Sequence, residues 1–223
     1  NWPLPIVYED EHLLILNKPA GMTAHASNFL PDTPTVAGAL AYQRGPDFIF
    51  HVVNRLDKGT TGLMAVAKSG YIHDRLRRTL HTDGFYREYR AVCVGCPEPP
   101  AGTIDAPIGR DETSAVRRMV RSDGQRAVSH YEVLSQRDGL SFVKLQPETG
   151  RTHQIRVHMA YIGHPILGDT VYGNKKPVPG LQGQCLHAVG LKFIHPRTGE
   201  LVELTCGLPE EFEKQLKKYR NMA

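Results

Sequence analysis

Val52-Val53-Asn54-Arg55-Leu56-Asp57-Lys58-Gly59-Thr60-Thr61-Gly62-Leu63-Met64-Ala65-Val66-Ala67-Lys68 is the stretch on which this chain turns. Two β-prone runs, Val52-Val53 and Leu63 to Ala67, flank a polar loop that carries Arg55 and Asp57 and is closed by Gly59 and Gly62. If the loop backbone stays extended, Arg55 and Asp57 lie two residues apart and point the same way. A carboxylate held at a strand end beside a cation stays ionised, ready to serve as nucleophile or base. An Asp close to Gly is also an ordinary turn residue that bonds its own backbone. Spacing alone leaves both readings open.

On the N-terminal side, the apolar runs Ile6-Val7-Tyr8 and Leu13 to Leu16 are separated by Glu9-Asp10-Glu11, the pattern of a hairpin or of a strand with a turn. Asn17-Lys18-Pro19-Ala20-Gly21-Met22 breaks that strand. Thr33-Pro34 offers an N-cap and a first-turn proline for a short helix through Ala41, which Arg44-Gly45-Pro46 stops. On the C-terminal side, Ser69 can cap a helix from Gly70 to Leu80 with Ile72, Leu76 and Leu80 on one face. Arg75, Arg77 and Arg78 fall off that stripe, as a solvated basic face or as contacts to a polyanion. Tyr86 to Val94 alternates as a strand.

Gly102 to Gln125 is rich in Gly, Asp, Ser and Arg, which predicts a hairpin with exposed loops, suited to solubility or to a phosphate backbone. Ala127 to Leu134 and Leu140 to Gln146 read as a strand pair around Gln136-Arg137-Asp138-Gly139. Thr152 can then cap a helix whose apolar stripe is Ile155, Met159 and Ile162, with His153 and Arg156 together on a different face. Leu201 to Thr205 is a last strand, and Pro209 opens a terminal helix packed through Phe212, Leu216 and Tyr219. Strands outnumber helices and short turns join them, which predicts an α+β fold with a largely antiparallel sheet.

Composition sets the bounds. The 223 residues are 40% hydrophobic, enough for a real core. Lys plus Arg is 27 against 23 Asp plus Glu, a net charge of +4 that permits a polyanionic partner without demanding one. Four cysteines are too few for a disulfide framework and fit a reducing compartment. Cys93-x-x-Cys96 has no second such pair, and Pro97 follows at once, so no metal is expected there. His153 and His158 lack the Glu of a zinc-binding H-E-x-x-H frame. Without a membrane-length apolar run or a signal pattern, the default is a cytoplasmic protein with no membrane partner.

Arg-Leu-Asp-Lys-Gly-Thr-Thr-Gly-Leu at 55–63 resembles the catalytic motif of the RluA-type RNA pseudouridine synthases, His-Arg-Leu-Asp followed by two variable residues and Thr-Ser-Gly. Asn54 stands for the His and Thr61 for the Ser. Tyr89-Arg90-Ala91 with its strand resembles the second motif, and Gly150-Arg151-Thr152-His153-Gln154-Ile155-Arg156-Val157-His158 the third nearly residue for residue. Asn17-Lys18-Pro19-Ala20-Gly21 resembles the opening of that catalytic domain, Gly163 to Asp169 continues the third motif, and Leu186-His187-Ala188 with His195-Pro196 resembles its close.

The resemblance implies one pseudouridine synthase catalytic domain over 1–223, a mixed and largely antiparallel central sheet with flanking helices and an RNA-binding cleft. It also implies an isomerase converting uridine in ribosomal RNA, or transfer RNA, by base flipping and with no cofactor. An S4 RNA-binding domain can lie upstream, as in many relatives. Asp57 is then the catalytic carboxylate, Tyr89 stacks on the uracil, and Arg156 is the ion partner of Asp57, with Arg151 as second choice. Arg55 takes the vacated space or holds the RNA backbone, and Arg151, His153 and Leu186 join it in binding RNA. A monomer is expected, since no interface stripe is left over. A non-catalytic RNA-binding or ribosome-assembly module on the same fold is the rival, disfavoured because binding alone needs no Asp57. A glycosidase is a second rival, lacking an evident second carboxylate.

Overall fold

Residues Thr61–Ala67 form strand β4, and all seven are buried, so this strand is covered on both faces. The continuous apolar run from Leu63 explains that position. The computed structural model describes residues 4–26 and 32–220, the last two by their backbone alone. The chain divides into two compact units, Asn1–Arg87 with Ala188–Gly207, and Glu88–His187 with Leu208–Ala223.

In the first unit, β2 (Leu13–Lys18) runs antiparallel along β4 from Leu13↔Ala67 to Lys18↔Gly62. Strand β1 (Ile6–Glu9) folds back on β2 as the expected hairpin. Strand β3 (His51–Val52) pairs with the Val66-Ala67 end of β4. On its other side β4 meets β11 (Leu186–Ile194), and β12 (Leu201–Thr205) pairs with β11. Helix α2 (Gly70–Thr79) covers this sheet with Ile72 and Leu76, and Leu80 follows at its C-cap. Ser69 accepts a hydrogen bond from the Ile72 amide at 3.3 Å, the cap its sequence position predicts. Phe85 and Phe193 stack at 5.0 Å within the same core.

The turns of this unit are closed by one carboxylate. Asp10 accepts hydrogen bonds from the amides of His12 and Leu13, each at 2.7 Å, and from the Tyr8 hydroxyl at 2.6 Å. His195 Nδ1 accepts from the Arg197 and Thr198 amides, so its proton sits on Nε2 and is donated to Asp10 at 3.0 Å. The bond that Tyr8 donates to Asp10 raises its phenol to about 12, with burial adding to the rise. His195 of the closing motif thus ties strand ends together.

Helix α1 (Val36–Arg44) departs from its expected bounds. The cap is Thr35, whose Oγ1 accepts from the Gly38 amide at 2.9 Å, rather than Thr33. The reason lies in Thr23. Its amide donates to the Pro34 carbonyl at 3.1 Å and its carbonyl accepts from Val36 at 2.8 Å, so Pro34-Thr35 is extended ladder and cannot enter the first turn. The helix ends at Gly45, with φ 97°, whose amide donates to Ala41.

In the second unit, β9 (Val128–Arg137) and β10 (Leu140–Pro147) form a hairpin closed by Arg137↔Leu140. The turn is therefore Asp138-Gly139 alone, with φ of 52° and 75° as a two-residue primed turn requires. Strand β5 (Phe85–Val94) pairs with the other edge of β10, placing Tyr89 opposite Leu145, and β6 (Ala101–Asp105) pairs with β9. Strands β7 (Ile108–Arg110) and β8 (Arg118–Val120) make a separate hairpin inside the arginine-rich segment. Helices α3 (Gln154–Tyr161) and α4 (Glu210–Arg220) complete the unit. Phe212 of α4 is buried, edge-on to Phe142 of β10, whereas the expected contact of Tyr219 falls outside the described side chains. The α+β class and the largely antiparallel pairing are as the sequence predicts.

Gly62 has φ +112°, and a Cβ there would overlap the backbone of Ala188 on β11. Gly62→Ala therefore combines left-handed strain with a backbone clash and is expected to cost about 3 kcal/mol or more. Urea unfolding checks this; a midpoint equal to wild type would contradict the tight β4–β11 approach.

Candidate active site

The Asp57 loop has no regular structure, so its backbone groups must find partners outside a ladder. Asn54 supplies part of the answer. It is buried, donates from Nδ2 to the Leu63 carbonyl at 3.1 Å, and accepts at Oδ1 from the Ala65 amide at 2.8 Å. The Asn54 side chain therefore clamps the loop to β4. Leu56 is buried while Arg55 is exposed and Asp57 half-buried, the alternation expected of an extended stretch. Arg55 has no partner among the described residues, so its guanidinium is available to a substrate.

Behind this loop lies Lys18, which is fully buried at 0% exposure. Its Nζ donates to the carbonyls of Pro19 and Met22, both at 2.8 Å, and of Lys58 at 3.3 Å. Three N–H donors thus meet three carbonyls, one of them on the residue after Asp57. The Lys58 carbonyl also accepts from the Gly21 amide at 2.8 Å. Burial pushes the Lys18 ammonium down to about 7, and the charge of Asp57 works against that shift.

In the second unit, α3 differs from the expected amphipathic helix. Gln154 through Met159 are all buried, Arg156 included. Arg156 avoids the cost of burial through Asp169, donating from Nε at 2.7 Å and Nη2 at 3.0 Å in a two-point pair. Asp169 Oδ1 also accepts from the amides of Val171 at 3.0 Å and Tyr172 at 3.2 Å. Burial alone would raise the Asp169 carboxyl, but the Arg156 bond and charge outweigh it and hold the group below its usual range. The Arg156 guanidinium lies 5.1 Å from the centre of the Tyr172 ring.

The helix is not capped by Thr152. His153 is the N-cap, with left-handed φ 59° and ψ 19°, and its side chain makes no capping bond. Its Nδ1 instead lies 2.7 Å from the Tyr172 hydroxyl. Gln154 and His158 hold the helix to β9. Gln154 Nε2 donates to the Val128 carbonyl and to Ser129 Oγ, both at 2.9 Å, and its Oε1 accepts from Thr149 Oγ1 at 2.6 Å. His158 Nε2 donates to the Ala106 carbonyl and Nδ1 accepts from Ser129 Oγ, both at 2.9 Å, while burial lowers its tendency to protonate. Gln154 and His158 of this motif are therefore structural.

Other expected site residues fall as follows. Tyr89 is 7% exposed on β5, and Leu186 is buried at the start of β11. Arg151 donates from Nε to the Arg126 carbonyl at 2.9 Å and from Nη1 to Gln125 at 3.1 Å, bracing the segment before β9. Cys93 is a buried free thiol pushed up by burial. Site features not singled out from sequence are the Lys18 cage, the Asp169 partner and Tyr172. For Lys18 the only signal is its place before Pro19-Ala20-Gly21; Asp169 and Tyr172 lie on irregular backbone, where no periodicity ties them to Arg156.

Comparison with known proteins adds an independent line. The family model described as RNA pseudouridylate synthase matches residues 12–161. The uncharacterized RNA pseudouridine synthase YjbO of Bacillus subtilis is 42% identical over 217 residues, 96% of this chain and 76% of that protein. Ribosomal large subunit pseudouridine synthase D of Vibrio cholerae is 42% identical over 224 residues, 94% of this chain and 68% of that one. Among solved structures, human RNA Pseudouridylate Synthase Domain Containing 4 superposes with a TM-score of 0.75 at 29% identity, covering 97% of this chain and 93% of that one.

The lowered Lys18 value carries a sign. With a folded value of about 7 against an ordinary 10.5, the unfolded chain holds more protons between those limits, so wild-type stability rises with pH across that window. Lys18→Met lacks this contribution. Wild type is therefore expected to gain on the variant from about pH 7 to about pH 10 in urea unfolding. A difference that stays flat across that range would show that Lys18 keeps an ordinary proton affinity.

Proposed function

Because the chain belongs to the RNA pseudouridylate synthase family, and is thus an isomerase acting on RNA, we propose that Asp57 is the carboxylate on which its conversion of uridine to pseudouridine depends. In that reaction the bond from C1′ to the uracil nitrogen breaks and one from C1′ to carbon 5 forms. Carbon 5 loses a proton and the freed nitrogen gains one, so no oxidant and no cofactor enter the balance. The uridine has to leave its stack first, at a cost of a few kcal/mol.

The observation that carries the assignment is the bracing of the Asp57 loop. Asn54 fixes it to β4, Lys18 holds the Lys58 carbonyl beside it, and Arg55 is left exposed. A loop held this firmly presents its carboxylate in one pose, which is the positional demand of chemistry at a sugar carbon. Arg55 holds the RNA backbone or fills the space that the flipped base leaves. Tyr89 offers the uracil a flat apolar face that tolerates its turning, and Arg156, oriented by Asp169, brings positive charge to the reacting group. Arg151, His153 and Leu186 support the RNA around it. Ribosomal RNA is the substrate we favour, following relatives named for the ribosomal large subunit, and the enzyme acts as a monomer.

Asp57→Asn is expected to bind RNA and form no pseudouridine, read by chemical tagging and sequencing of total RNA from cells carrying each allele. Ribosomal sites that vanish with the gene and return only with wild type support the assignment; turnover by Asp57→Asn would overturn it. Tyr89→Phe should retain far more activity than Tyr89→Ala, and equal losses would point to the hydroxyl. Binding should weaken steeply as salt rises, since each phosphate contact releases counterions; a flat response would count against arginine contacts to the backbone.

A further inference from the structure

Tyr172 sits where several charged groups of the second unit meet. Its hydroxyl accepts a hydrogen bond from the Arg118 amide of β8 at 2.8 Å. The same oxygen lies 2.7 Å from His153 Nδ1. The hydroxyl and Nδ1 share one hydrogen bond, whose donor is set by the His153 tautomer. The ring lies 5.1 Å from the Arg156 guanidinium and 5.8 Å from that of Arg117, and it packs beside the small cluster of Ile108, Ala127 and Val157. Its own amide donates to the carboxylate that grips Arg156.

The backbone of His153 gives a second, independent observation. A residue with a side chain rarely adopts φ 59°, and at this helix start the strain brings no capping bond in return. What the conformation achieves is the contact with Tyr172. We propose that Tyr172 is a positioning residue for the isomerisation: its hydroxyl ties the arginine-bearing β7–β8 hairpin to His153, and its ring fixes the Arg156–Asp169 pair. The β7–β8 hairpin and the Arg156 guanidinium are thereby held in one register within the second unit, so an RNA that meets both is aligned by that link. The inference rests on the role given above to Arg156.

Two substitutions separate the hydroxyl from the ring. Tyr172→Phe keeps the ring and loses two hydrogen bonds, so the KM for RNA is expected to rise about tenfold. The Arg118 amide should exchange with solvent about tenfold faster, and the His153 ring should lose its fixed tautomer in nitrogen NMR spectra. Tyr172→Leu also removes the face under Arg156 and should lower kcat by a further tenfold or more. Wild-type KM together with wild-type Arg118 exchange in Tyr172→Phe would overturn the proposal, as would a Tyr172→Leu kcat equal to that of Tyr172→Phe. Thermal melts show whether either variant is folded, and Tyr172→Phe alone decides the hydroxyl link if Tyr172→Leu is not. Arg156→Gln with wild-type kcat would instead sink the assignment of Arg156, while Arg118 exchange and the His153 tautomer still decide whether Tyr172 makes the link.

Discussion

A loop that must hold a carboxylate still without helix or strand has to bond its backbone by other means. In this chain the constraint is met by two side chains, Asn54 and Lys18. Asn54 exchanges both of its amide groups with β4, and Lys18 gives all three of its N–H bonds to carbonyls of neighbouring loops. Neither partner is negotiable once water is excluded, because a buried carbonyl or ammonium without a bond costs more than the bond gains. The first unit can be seen as a sheet whose centre, β4, anchors this loop and whose hairpin, β1–β2, delivers the lysine.

The second unit applies the same rule to a helix. Gln154 and His158 point inward with no apolar role, yet they are neutral and fully bonded to β9 and to the backbone before it. Arg156 is charged, and its burial is tolerable because Asp169 meets it at two points while accepting two amides of its own. Motif residues therefore divide by what they bond. Gln154 and His158 spend their polar atoms inside the unit, whereas Arg156 is held from one side by a carboxylate.

Much of this was legible in the sequence. The strands around Asp57, the Ser69 cap, the Ile72–Leu76–Leu80 stripe and the β9–β10 pair all follow from period and turn chemistry, because in each the bonding partners lie close along the chain. The Thr35 cap was hidden by Thr23, whose long-range bridge draws Pro34 out of the helix. The Arg156–Asp169 pair is hidden for a related reason: apolar spacing reveals where greasy residues go, but a buried ion pair depends on a partner thirteen positions away on irregular backbone. Thr152 is a good cap by type, whereas the helix begins at a left-handed His153 whose ring meets the Tyr172 hydroxyl nineteen positions away. Lys18 looks like any lysine until the three carbonyls around it are located.

The first unit is discontinuous: β4 has one neighbour, β2, from the early chain and the other, β11, from beyond residue 186. During synthesis at about 5–20 residues per second, the β2–β4 pair emerges several seconds before the strand that covers its open edge. Throughout that interval β4 is met on that side, among the described residues, only by β3 and Asn54, and the backbone groups they leave unpaired are open to another chain. The second unit closes its β9–β10 hairpin locally, but it too is discontinuous, since α4 reaches it only from the far end of the chain. The braces of the Asp57 loop, Lys18, Asn54, Leu63 and Ala65, are by contrast all made within residues 18–65, so the loop can be fixed before the strand that completes its sheet exists.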